Sequence, residues 1–119
     1  MTGSRGVIVR IVRGRVAAVL VPSFHDLARS TVPEVRCRDG VVSVSVARQI
    51  ASDGAEEIMF ATVWRDLPAL YEWLGGSDLL DVPAPICGFE RCLSGRDLQY
   101  YEVIATDLAM APIGAASGR

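Results

Sequence analysis

The chain has 119 residues, half of them hydrophobic and 22% charged, which is one domain's worth of polymer and excludes a disordered, collagen-like or low-complexity chain. Its net charge is −2 with the charges scattered, so no basic face for nucleic acid is visible, and no apolar run approaches the roughly 20 residues of a membrane span. A mean hydropathy of +0.31 is high for so small a domain and implies that something beyond one small core hides apolar surface. The first residues, Met1 to Gly6, lead into an alternating segment broken by Arg10 and Arg13, with no visible signal peptide, so a cytoplasmic location is expected. All 12 basic residues are Arg, and the chain contains neither Lys nor Asn. Three cysteines, Cys37, Cys87 and Cys92, read as buried free thiols, since an odd number without nearby His suits neither a disulfide framework nor a metal set.

In chain order, Val7 to Arg13 alternates as a strand, with Val7, Val9 and Ile11 on one face and Ile8, Arg10 and Val12 on the other. From Ala17 to Thr31 the period changes: Leu20, Phe24, Leu27, Ala28 and Thr31 mark a helix face. Pro22 fits its first turn, placing the regular start near Val21, and Pro33 is expected to stop it. Val41 to Gln49 is a second strand, and Ser52-Asp53-Gly54 supplies a hairpin turn. Glu57 to Trp64 returns as a third, with Ile58, Phe60, Thr62 and Trp64 on one face and Met59, Ala61 and Val63 on the other. Asp66 is a good N-cap for a short helix carrying Leu67, Leu70, Tyr71 and Leu74, which Gly75-Gly76 ends. Ser77 to Gly95 reads as a loop with a helical turn at Asp78 to Val82. Asp97 to Thr106 is a fourth strand, and 109–119 a flexible tail.

The order β-α-β-β-α-β predicts an α+β, ferredoxin-like domain over residues 1–108 with a four-stranded antiparallel sheet. Strands one and three are apolar on both faces, while the helices cover only one. The other face calls for a second copy packed sheet to sheet, burying Val7, Val9, Met59 and Ala61, so a homodimer is expected.

The segment Phe60-Ala61-Thr62-Val63-Trp64-Arg65-Asp66-Leu67-Pro68-Ala69-Leu70-Tyr71-Glu72-Trp73-Leu74-Gly75 resembles the antibiotic biosynthesis monooxygenase family. A strand ending in Trp runs into a capped helix, then an aromatic and Gly. Weaker echoes lie at Val9 to Arg15 and at Tyr100 to Val103, so the resemblance spans roughly residues 7–105. It implies a dimeric α/β barrel, two sheets pairing, with a pocket between sheet and helices in each protomer. Some members of that family oxidise aromatic polyketides with molecular oxygen and neither metal nor flavin; others degrade haem.

By the resemblance, Trp64 lines the pocket with Phe60 and Thr62, the first strand adds Arg10 and Val12, and the second helix adds Tyr71 and Leu70. Trp64, Arg10 and Tyr71 are the candidate catalytic residues; Val12, Phe60, Thr62, Leu70 and Tyr100 are candidate ligand contacts. Arg10 could neutralise an enolate, and Tyr71 or Tyr100 could donate a hydrogen bond. Two departures stand out: Val12 occupies the place of the pocket Asn common in oxidising members, and residues 75–80 lack the His of haem-degrading ones. No cofactor, no metal and no His-ligated haem is therefore expected.

Each candidate also has a structural reading. Trp64 and Tyr71 suit a core, Arg10 suits an ion pair with Glu102, and His25 suits a solvated helix flank beside Asp26. Two functions remain: a cofactor-independent monooxygenase-like enzyme acting on a planar aromatic or quinone-like molecule, or a non-catalytic dimeric barrel binding a small hydrophobic ligand.

Overall fold

Alternation of β-branched and aromatic residues builds the two central strands. In β1 (Ile8–Val16), Ile8, Arg10, Val12 and Val16 are buried on one face, while Val9 and Ile11 on the other are half-buried. In β3 (Glu56–Trp64), Glu56, Ile58, Phe60, Thr62 and Trp64 turn inward and Met59, Ala61 and Val63 outward. The computed structural model describes residues 6–50, 54–75 and 93–106. With β2 (Val41–Ile50) and β4 (Ser94–Glu102), these strands form one sheet in the order β2-β3-β1-β4, antiparallel at every pairing. This is the expected ferredoxin-like α+β arrangement.

Both helices cover the inward face. From α1 (Val21–Arg36), Phe24, Ala28 and Val35 join one core cluster; from α2 (Leu67–Leu74), Ala69, Leu70, Trp73 and Leu74 join it. Asp66 caps α2 as expected, its carboxylate accepting from the Ala69 N–H at 3.0 Å. Gly75, at φ +96°, ends it by donating its N–H to the Tyr71 carbonyl at 2.9 Å.

Several boundaries differ from the sequence expectation. Pro33 does not stop α1, which continues to Arg36. A proline removes one N–H and crowds the preceding turn, and here the Pro33 carbonyl still accepts from Cys37 while fully buried Val35 anchors the last turn. Leu20 leaves the helix face: it closes a 3-10 turn at Ala18–Leu20 and is 51% exposed. Cys37 is exposed rather than buried. β1 runs three residues beyond Arg13, and β4 correspondingly starts at Ser94, opposite Arg15, and ends at Glu102. Gly14 permits that extension, because a Cβ there would lie 2.5 Å from the Leu93 Cβ, and the β1–β4 register shifts around it. Ser52, Asp53, the turn at 78–82, Cys87, Cys92 and the tail at 109–119 lie outside the described residues. Among the described residues no helix is long and apolar enough to cross a membrane.

Candidate functional site

Arg10 is the unusual residue of β1. It stands on the helix side, opposite Thr62 on β3 and Tyr100 on β4, and is fully buried. A buried guanidinium must find compensation for lost water. Its Nε donates to the Tyr100 hydroxyl oxygen at 3.1 Å. Its guanidinium carbon lies 5.4 Å from the ring centroid of Trp73 and 5.8 Å from that of Tyr100, within cation–π range of both.

Trp64, at the end of β3 and opposite Ile8, faces the helices and not the outer side of the sheet. It is fully buried, its ring centroid 4.9 Å from that of Trp73 with the planes tilted by 35°. Its Nε1 donates to the Thr62 hydroxyl at 2.9 Å, which gives buried Thr62 a definite task in orienting the indole. Val12, Phe60 and Leu70 belong to the same core cluster, and half-buried Tyr100 packs against it.

Trp73 binds these parts together, and sequence reasoning missed it. The signal was spacing: Trp73 lies three residues after Leu70, on the face that Ala69 and Leu74 share. Tyr71 sits about 100° around the helix from Leu70, so it is half-buried on the flank, and Trp73 takes the place over Arg10. Trp73 Nε1 is buried with no hydrogen-bond partner among the described residues. Such a desolvated donor costs on the order of 1–3 kcal/mol. Glu102, a foreseen partner for Arg10, is exposed and lies opposite Ile8, one inward position beyond Tyr100.

A second polar cluster lies at the other end of β3. Buried Glu56 receives Arg48 on Oε2 at 2.6 Å, and its Oε1 lies 2.7 Å from His25 Nε2. His25 is thus engaged by a carboxylate, not solvated as expected. Burial alone would raise the Glu56 pKa, but the hydrogen bonds and charges of His25 and Arg48 outweigh it and hold the carboxyl below its ordinary value of 4.5. A depressed carboxyl stabilises the fold fully above that ordinary value and loses the contribution as pH falls through the folded-state pKa. The melting temperature should therefore drop below about pH 4.5, and Glu56→Gln should flatten that part of the profile while lowering stability at pH 7. Circular-dichroism melts from pH 7 to pH 3 check both. Among the described residues, no group of three or more His, Cys, Asp or Glu is positioned to hold a metal ion.

No protein-family model matches the sequence, and no curated protein matches it closely enough to count as a relative. Solved structures do match the fold. SnoaB from Streptomyces nogalater, a cofactor-independent oxygenase seen as an Asn-to-Ala variant, aligns with a TM-score of 0.65 at 18% identity, covering 87% of this chain and 98% of that one. A Bacillus cereus candidate antibiotic biosynthesis monooxygenase aligns at 0.56 and 18% identity, covering 87% and 99%. The haem-degrader MhuD from Mycobacterium tuberculosis, with two haems in its active site, aligns at 0.57 and 18% identity, covering 83% and 97%. The fold is that of antibiotic biosynthesis monooxygenase-like proteins, as the resemblance at Phe60 to Gly75 implied.

Proposed function

We propose that this chain is a cofactor-independent, monooxygenase-like enzyme that oxidises a planar aromatic or quinone-like molecule bearing an ionisable hydroxyl. One observation carries the reading: a fully buried guanidinium clamped between two aromatic rings, beside an indole N–H with no acceptor among the described residues. Preorganised donors in a water-poor site are what a developing oxyanion needs. The fold shared with SnoaB supports the same class of chemistry.

In this reading the enolate or phenolate oxygen of the substrate faces Arg10 and the Trp73 N–H, while Trp64 and Phe60 cover its ring. Val12 and Leu70 complete the apolar wall, Thr62 fixes Trp64, and Tyr100 and Tyr71 are hydroxyl donors at the margin. The substrate anion supplies electrons to molecular oxygen. A ring methylene loses two hydrogens and gains one oxygen atom as a carbonyl, and the second oxygen atom leaves as water. Two copies of the chain pack through the outward sheet faces, with Val7, Val9, Met59 and Ala61 in the contact.

The test is oxygen consumption and quinone formation with a hydroxylated anthrone such as dithranol. Arg10→Met should lower turnover by roughly a hundredfold. Trp73→Phe should weaken binding of the anthrone about tenfold without lowering the melting temperature, because it deletes a buried donor that has no acceptor among the described residues. Ring binding without oxygen consumption would instead define a ligand-binding barrel.

A further inference from the structure

Among the described residues, α1 and α2 do not reach across the whole sheet. On edge strand β2, Val44 and Val46 point to the helix side, opposite Thr62 and Phe60, yet both remain only partly covered. Between them and the flank of α1 runs an open groove of about 480 Å³, with Phe24, Val44, Val46 and Ile58 in its apolar base. That volume falls within the range of small-molecule sites.

Among the described residues, the ionisable ones lining the groove are His25, Arg29 and Arg48, with no carboxylate. Glu56 is committed elsewhere, one oxygen at 2.6 Å from Arg48 Nη1 and the other at 2.7 Å from His25. Arg48 keeps half its side chain in solvent, and among the described residues Arg29 makes an exposed contact of 3.2 Å to Asp26 within α1. Exposed pairs of that kind are worth little, so the Arg29 guanidinium remains available to a better partner. An apolar base under a cationic rim selects an anion with a hydrophobic body. We infer that this groove binds a small amphipathic carboxylate, its tail over Val44 and Val46 and its carboxylate between Arg29 and Arg48.

This site lies on the β2 flank of the sheet, away from the Arg10 cluster between β1 and β4, and does not depend on the oxygenase reading. Calorimetric titration with decanoate tests it, with decanol and decyltrimethylammonium as controls of matching tail. Decanoate should bind at least about tenfold more tightly than decanol, and the ammonium should bind weakest. Amide shifts should cluster at Val44, Val46 and Ala28. Val32→Trp, which fills the groove from the half-buried flank of α1, should abolish binding. Arg29→Ala should weaken it about tenfold and Arg29→Glu further; both are surface changes that leave the core untouched. Equal affinity for decanol and decanoate would overturn the proposal. So would indifference to both Arg29 variants, or shifts centred on Trp64 and Trp73.

Discussion

Trp64→Ala is expected to remove about 3–5 kcal/mol of stability, because it empties a fully buried aromatic position in the middle of the core cluster. Loss of the indole also strips Trp73 of its ring partner and leaves the Thr62 hydroxyl without its donor. For a chain of this length the melting temperature should fall by more than about 10 °C. Trp64→Phe separates the structural role from the binding role. It retains most of the buried area and loses one hydrogen bond, worth about 1 kcal/mol. If Trp64 covers a substrate ring, the Phe variant should bind a hydroxylated anthrone more weakly while staying folded. A variant that melts a few degrees lower yet binds normally would make Trp64 a core residue only. Melting curves and titrations on the same two samples decide between these.

Ile11→Asp should convert a dimer into monomers. On the outward face, Val9 pairs with Val63 and Ile11 with Ala61 across the central strands, so the middle of the sheet is apolar on the side that, among the described residues, no helix covers. An unpaired carboxylate buried there costs several kcal/mol, which corresponds to a loss of a thousandfold or more in association. Sedimentation velocity at micromolar concentration should find the parent chain dimeric and the variant monomeric, with unchanged far-ultraviolet dichroism. A parent chain that sediments as a monomer would sink the sheet-to-sheet assembly. The inward residues would still stand, because they are buried by α1 and α2 within one protomer.

What the sequence disclosed followed from how regular its periods are. Alternation along Ile8–Val12 and Ile58–Trp64 assigned each side chain to a face correctly, Arg10 and Trp64 included, because one shift in register would expose every one of them. Glu56 obeys the same parity but lies one step before the expected strand start, so the buried carboxylate and its hold on His25 went unseen. The eight-residue α2 spans barely two turns, too few for its apolar face to be centred without its packing partners; Tyr71 was expected where Trp73 lies. Pro33 misled because a proline disfavours a helix by a finite amount, and burial of Val35 beyond it outweighs that amount. Pairing across strands, such as Tyr100 opposite Arg10, depends on the Gly14 bulge and is not readable from either strand alone.

Arg10 differs from the acid–base groups that usually populate enzyme pockets in one respect: a guanidinium does not titrate in proteins. Among the described residues, the Trp73 indole and the Tyr100 phenol stand against it. The Arg10 guanidinium is therefore a fixed positive charge between about pH 5 and pH 9. In the proposed reaction, a rise of turnover with pH that moves with the acidity of the small molecule reports its ionisation and not that of Arg10. A series of hydroxylated rings of graded acidity should give a family of profiles, each displaced by its own acidity, with Arg10 contributing the same charge to all of them.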